Sequence, residues 1–262
     1  MTEQIHEIAA KGYQIAPEAY DRGRPAYPLD AVGRLLQELK IGAHSVVVEL
    51  GPGTGKFTQV FTSLLPAGTR VIAIEPVQEM RKKFASLMPS VELLAGRAEN
   101  IPLAESSCDA VVSAQAFHWF DGPAALREIY RILKPGGTLG LIWNLRDESV
   151  DWVARLEQLT QVHRKDVPTY KSGRWRQAFE QTELFTPLQR SYSQYAHVGS
   201  PETVLDRVAS SSYIAAMPEA ERKAVLEQVR DLLSSHPQTK GEPTIEFPYV
   251  THVFWCECKK RG

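Results

Sequence analysis

The residues with the most chemical potential begin at Glu49, where an acidic side chain is followed by Gly51, Gly53 and Gly55 at alternate positions. Three valines, Val46 to Val48, precede it, β-branched and apolar enough for a strand covered on both faces. Alternate glycines let the chain turn sharply and let a ligand approach where a Cβ would intrude. The helix that should follow aims unpaired amides back at that ligand. A phosphate-binding GxxxxGK loop does not fit, because reading it on Gly55-Lys56 puts Leu50 at the first glycine and Phe57 at the hydroxyl. A GxGxxG dinucleotide loop fails too, since Lys56 or Thr58 stands at its last glycine. Glu75 lies 20 positions beyond Gly55, at the end of the apolar run Val71 to Ile74. There a carboxylate can accept both hydroxyls of a ribose. A further chemical stretch, Gln115 to Asp121, carries Trp119 and Phe120 beside His118. An imidazole with an ordinary pKa near 6.5 can act as a base at neutral pH, or pack and hydrogen-bond behind a site; both readings of His118 stand. Arg146 likewise reads either as a clamp for an acidic substrate or as an exposed structural arginine.

These residues need elements to place them. Val32, Leu35, Leu36 and Leu39 predict a helix capped by Asp30, packed beside the sheet. Phe57, Val60, Phe61, Leu64 and Leu65 predict the helix after the glycines, stopped by Pro66-Ala67-Gly68. Met80, Phe84 and Leu87 line the next helix. Strands are expected at Val71 to Ile74, Val91 to Ala95, Cys108 to Ser113 and Thr138 to Trp143. Asp121 is placed to cap a helix carrying Leu126, Ile129, Ile132 and Leu133, ended by Lys134-Pro135-Gly136-Gly137. Beyond it come a helix at Trp152, Val153, Leu156 and Leu159, a strand between Leu188 and His197, and helices started by Pro201 and Pro218. A covered final strand runs from Thr244 to Cys258.

The acidic-x-Gly-x-Gly-x-Gly pattern, Glu75 and the turn Gly96 to Pro102 together resemble the class I S-adenosylmethionine (SAM) methyltransferases, over about Asp30 to Trp143. The Tyr20 to Pro28 segment, the Gln115 to Asp121 turn and the Asn144 to Asp147 exit resemble a small-molecule branch that includes the trans-aconitate methyltransferase-like enzymes. The resemblance implies an α/β fold, a Rossmann-like, doubly wound, seven-stranded, mostly parallel sheet with an antiparallel last strand and a helical substrate cover. It implies SAM as cofactor, S-adenosylhomocysteine as product, and cofactor contacts from Glu49, Gly51, Gly53, Gly55, Glu75, Ala98, Glu99 and Gln115. Arg97 stands where many relatives carry Asp, leaving the Ala98 amide and Glu99 to serve the adenine; Glu99 reads equally as a solvated acid. Tyr20, Trp119, Phe120, Asn144 and Arg146 are the expected substrate residues and His118 the candidate catalytic one. Aromatic faces in that turn would attract a methylsulfonium cation.

With 262 residues and 43% hydrophobic content, one core with insertions is expected. The divisions are an N-terminal segment at 1–29, either a lid or surface packing, a SAM-binding core at 30–145, cover insertions with one core strand at 146–243, and a final strand and tail at 244–262. Thirty basic against thirty-one acidic residues leave a net charge of -1, which disfavours nucleic acid as a partner. Three cysteines suggest neither a disulfide framework nor an iron-sulfur site, and point to a reducing compartment. With no secretory pattern and no apolar run of membrane length, a cytoplasmic location is expected, and no metal. The reading that follows is a methyltransferase acting on an oxygen or carbon of a small molecule. The alternatives are a non-catalytic SAM-binding protein, another reaction on the same fold, or a protein or RNA methyltransferase.

Overall fold

The computed structural model describes residues 23–164 and 167–259. Tyr20 and most of the expected lid lie outside the described residues. A seven-stranded sheet has the order β3-β2-β1-β4-β5-β7-β6. Its strands are β1 (Val46–Leu50), β2 (Arg70–Ile74), β3 (Glu92–Leu94), β4 (Cys108–Ala114), β5 (Leu133–Arg146), β6 (Gln189–Gly199) and β7 (Ile245–Glu257). The first five run parallel, and β7 lies antiparallel between β5 and β6. Strand order reverses between β1 and β4, so the crevice for ligands lies beyond their carboxyl ends.

Alternate residues of the central strands feed two cores. Val48, Val111 and Leu141 face one layer, with α4 (Gly122–Ile132) and α6 (Arg174–Glu180) packed on it. Val47, Ala110 and Val112 face the other, against α1 (Leu29–Glu38) and α2 (Lys56–Ser63). Between β2 and β3 runs α3 (Gln78–Leu87), burying Met80 and Phe84. A third apolar cluster builds the cover. Here α5 (Asp151–Gln161), α7 (Pro201–Ala209), α8 (Ser212–Ala215) and α9 (Glu219–Ser235) pack on Ile245, Phe247 and Tyr249 of β7. No helix among the described residues is long and apolar enough to cross a membrane. All three cysteines are free and buried.

Two local expectations need correction. Asp30 does not cap α1: the helix starts at Leu29 behind an extended Pro28, which sets the entry itself and leaves Asp30 in the first turn. The Lys134 to Gly137 run is not a separate turn before the fifth strand. Leu133 already pairs with Cys108 and Thr138 with Ala110, so those four residues bulge out of β5, with Gly136 at φ 78°. Asp121 does cap α4, its Oδ1 accepting from the Ala124 amide at 3.2 Å. Replacing Asp121 with Ala should lower unfolding stability by about 1 kcal/mol in urea titration.

Candidate functional site

The glycine turn follows from local geometry. Gly51, Gly53 and Gly55 have φ of 69°, 60° and 91°, a left-handed conformation that side chains with a Cβ resist. A Cβ on Gly51 would sit 2.8 Å from that of Ala116, and one on Gly55 would sit 3.1 Å from the Phe84 ring. The turn is therefore packed from behind while its front faces a cavity of about 310 Å³. That volume lies within the range of roughly 300–1,000 Å³ usual for small-molecule sites.

Two buried acids flank the turn. Glu75, at the end of β2, accepts from the Gly53 amide at 3.1 Å and from the Val77 amide at 2.9 Å, and it lines the cavity. Burial lifts its pKa, partly offset by those two amides. Each carboxylate oxygen retains a second lone pair for a ligand hydroxyl. Glu49, fully buried at the end of β1, accepts from the Thr58 hydroxyl at 2.7 Å through Oε2. Among the described residues its Oε1 has no hydrogen-bond partner, and Glu49 does not line the cavity. Burial pushes the Glu49 pKa up to about 8, against the Thr58 hydrogen bond and with help from Glu75. Pro76, Val77 and Met80 give the cavity an apolar wall beside Glu75.

The turn after β4 brings Gln115, His118, Trp119 and Phe120 to the same cavity. Gln115 sits at φ 55° and donates from its side chain to the Asn144 carbonyl at 2.8 Å. His118 accepts from the Trp143 indole at 3.2 Å through Nδ1. A neutral imidazole accepting at Nδ1 carries its proton on Nε2, so His118 is arranged as a donor. Burial, reinforced by the charge of Arg24, lowers its pKa to about 3. Both observations disfavour a general base.

Other expected residues are differently engaged. Ala98 is buried and does not line the cavity. Glu99 also lies off the cavity, accepting from the Asp121 amide at 2.8 Å. Asn144 lines the cavity, but its amide donates to the Ala26 carbonyl at 2.9 Å and accepts from the Thr251 hydroxyl at 2.7 Å. It thus pins the N-terminal strand of chain to the sheet. Arg146 is 7% exposed, its Nη1 donating to Glu157 and to the Thr160 hydroxyl, each at 3.2 Å.

Sequence reading missed most of the cover side. Glu157, from α5, pairs with Arg146, Arg164 and Lys171, and these cations hold its carboxyl at about 2 against the penalty of burial. Tyr213, from α8, also faces the cavity. On the opposite side Lys56 donates to the Arg24 carbonyl at 3.2 Å, and Arg24 donates to the Ser210 carbonyl at 3.0 Å. No spacing in the sequence announces groups that come from such separated segments.

A methyltransferase-domain family matches residues 48–141. The chain is 40% identical to the "Uncharacterized methyltransferase Rv3342" of Mycobacterium tuberculosis, over 89% of this chain and 90% of that one. It is 28% identical to a malonyl-[acyl-carrier protein] O-methyltransferase of Pectobacterium atrosepticum, over 97% and 99% of the two chains. Among solved structures it resembles the YcgJ protein of Bacillus subtilis, with TM-score 0.56 and 18% identity over 89% and 99% of the chains. With the seven-stranded sheet, the glycine turn and these relatives together, the chain belongs to the class I SAM-dependent methyltransferases.

Proposed function

We propose that this protein binds SAM across the glycine turn and transfers its methyl group to an oxygen or carbon of a small-molecule acceptor. The observation that carries this reading is the carboxylate of Glu75, which lines the cavity beside Gly51 and Gly53, two glycines in the left-handed conformation, with Glu49 buried behind them. The hydroxyl pair of a ribose would find its acceptor in Glu75 at the cavity wall. Gly51 and Gly53 allow the close approach, Val77 and Met80 offer an apolar surface to a base, and Gln115 closes the site beside β4. SAM, when bound, supplies an electrophilic methyl group with its own leaving group. The chain's part is to hold the acceptor's nucleophile in line with that methyl group and to keep water out. Trp119 and Phe120 suit the second task and present ring faces that attract a cation. His118, neutral with its proton on Nε2, serves as a fixed donor, so an acceptor that must lose a proton would not lose it to this imidazole. The O-methyltransferase relative favours oxygen as the acceptor atom. The net charge of -1 and a concave site of about 310 Å³ favour a small acceptor over RNA.

Calorimetric titration with SAM and with S-adenosylhomocysteine tests the reading directly. Micromolar binding of both is expected, and absence of binding by folded protein would overturn it. Glu75→Gln should weaken SAM binding by about 1.5–3 kcal/mol, the worth of a hydrogen bond to a charged group. Glu49 gives a second test, through pH. Its folded pKa of about 8 stands above the ordinary 4.5, so between those values the native protein holds a proton that the unfolded chain releases. Stability without ligand should therefore fall as pH rises through this window, and the loss is complete above about 8. Glu49→Gln should raise the melting temperature at pH 8.5, leave it nearly unchanged at pH 4.5, and weaken SAM binding. Finally, the pH profile of turnover should show no inflection near 6.5 that disappears in His118→Gln.

A further inference from the structure

The whole chain is nearly neutral, yet the cavity is not. Six basic side chains line it, Arg24, Lys56, Arg146, Arg164, Lys171 and Arg207, against three carboxylates, Glu75, Glu148 and Glu157. SAM, with a sulfonium, an ammonium and one carboxylate, brings a further positive charge and no relief.

Half of these cations, Arg146, Arg164 and Lys171, gather in one corner away from the glycine turn, against Glu148 and Glu157. Glu157, 5% exposed, is shared by Arg146, Arg164 and Lys171, and Glu148 pairs with Lys171. Arg164 keeps a buried Nε with no partner. Beside it lies Tyr213, with the Arg164 guanidinium 5.6 Å above its ring. Burial alone would raise the phenol's pKa, but Arg146 and Arg164 outweigh burial and hold it below the ordinary value. Both this phenol and the crowded Glu157 report a positive potential in the same corner. A buried site with surplus positive charge calls for an anion from its ligand.

Resting on the methyltransferase reading, we propose that the Arg146, Arg164, Lys171 and Tyr213 corner anchors an anionic group of the acceptor, a carboxylate or its equivalent. We further infer that the methyl group goes to a different atom of the same molecule. The second step follows from charge balance. Methylating a carboxylate oxygen forms a C–O bond, breaks the S–C bond, and leaves a neutral ester and a neutral thioether. Cations gripping that same carboxylate would stabilise the ground state more than the transition state, in which its charge is already waning. They would slow the transfer. A grip on a non-reacting anion carries no such penalty, because its charge is unchanged throughout, and its binding energy orients the reacting group. The acceptor is therefore bifunctional, with one anionic anchor and one separate nucleophile.

The test uses paired ligands on the protein loaded with S-adenosylhomocysteine. Glutarate and 4-hydroxybenzoate are titrated beside their neutral amides, glutaramide and 4-hydroxybenzamide. At least one acid should bind about tenfold or more tightly than its amide, an advantage that shrinks with added salt. Lys171→Met, at a half-exposed position, and Tyr213→Phe should each remove most of that advantage while S-adenosylhomocysteine affinity stays at the wild-type value. If neither acid binds better than its amide, or if Lys171→Met keeps the full preference, the anchor is wrong. Efficient methylation of benzoate, which has no second nucleophile, would overturn the separate-nucleophile step. Failure of wild-type protein to bind S-adenosylhomocysteine would instead strike the methyltransferase reading itself.

Discussion

Two carboxylates buried side by side at the ends of β1 and β2 set the conditions for the rest of the site. Glu75 meets its burial with two backbone amides, and one of these, Gly53, belongs to the glycine turn. The turn's shape is thus tied to an acid 22 residues further along the chain. Glu49 meets its burial by half, through the Thr58 hydroxyl at the start of α2. Burial raises the proton affinity of both acids, and Glu75 raises that of Glu49 further. A fold that buries such a group without a partner gives up stability that only a ligand can return.

The same economy explains the short chain segment before α1. Gly23 to Tyr27 has little side-chain volume to bury, yet it is held at several points. Ala26 is gripped by Asn144, the Arg24 carbonyl by Lys56, and the Arg24 guanidinium by the Ser210 carbonyl. The Tyr27 ring stands edge-on to Phe57 at 5.1 Å. One strap therefore touches the cofactor turn, the β5 end and the cover. Asn144 and Gln115, which the sequence offers as ligand contacts, serve largely to maintain this framework, Gln115 by donating to the Asn144 carbonyl.

What was legible in the sequence divides along a physical line. Glu49, the three glycines and Glu75 were readable because their geometry is local, a turn between a strand and a helix and an acid at the next strand's end. Strands β1, β2 and β4 were readable for a similar reason, being short apolar runs bounded by turn residues. Asp30 was misjudged because Pro28 takes the cap position and sets the helix start two residues earlier, and the bulge at Lys134 to Gly137 was invisible because a register shift depends on the neighbouring strand. Type and position left His118 open between a base and a structural group; its tautomer is set by an indole 25 positions away, and its charge by burial. Glu157 looked like an ordinary helical acid, and nothing near it in sequence tells that three cations converge on it.

That division also separates two tasks in the molecule. The cofactor side is built from Glu49 to Met80, a nearly continuous stretch whose hydrogen bonds are part of the sheet's own construction. The proposed acceptor side is assembled from the end of β5, α5, the Tyr170–Ser172 turn and α8; α5 and α8 share an apolar core with β7, while Leu145 and Tyr170 pack on the sheet's own core. Substitutions that retune Lys171, Arg164 or Tyr213 leave the glycine turn's contacts untouched, whereas any change at Glu75 or Gly53 disturbs the sheet edge itself. A scaffold divided this way can exchange acceptors by altering a handful of cover residues while its cofactor chemistry stays fixed. The cluster of Arg146, Arg164 and Lys171 lies on the exchangeable side, where a ligand's identity, and not the fold's integrity, determines which side chains are needed.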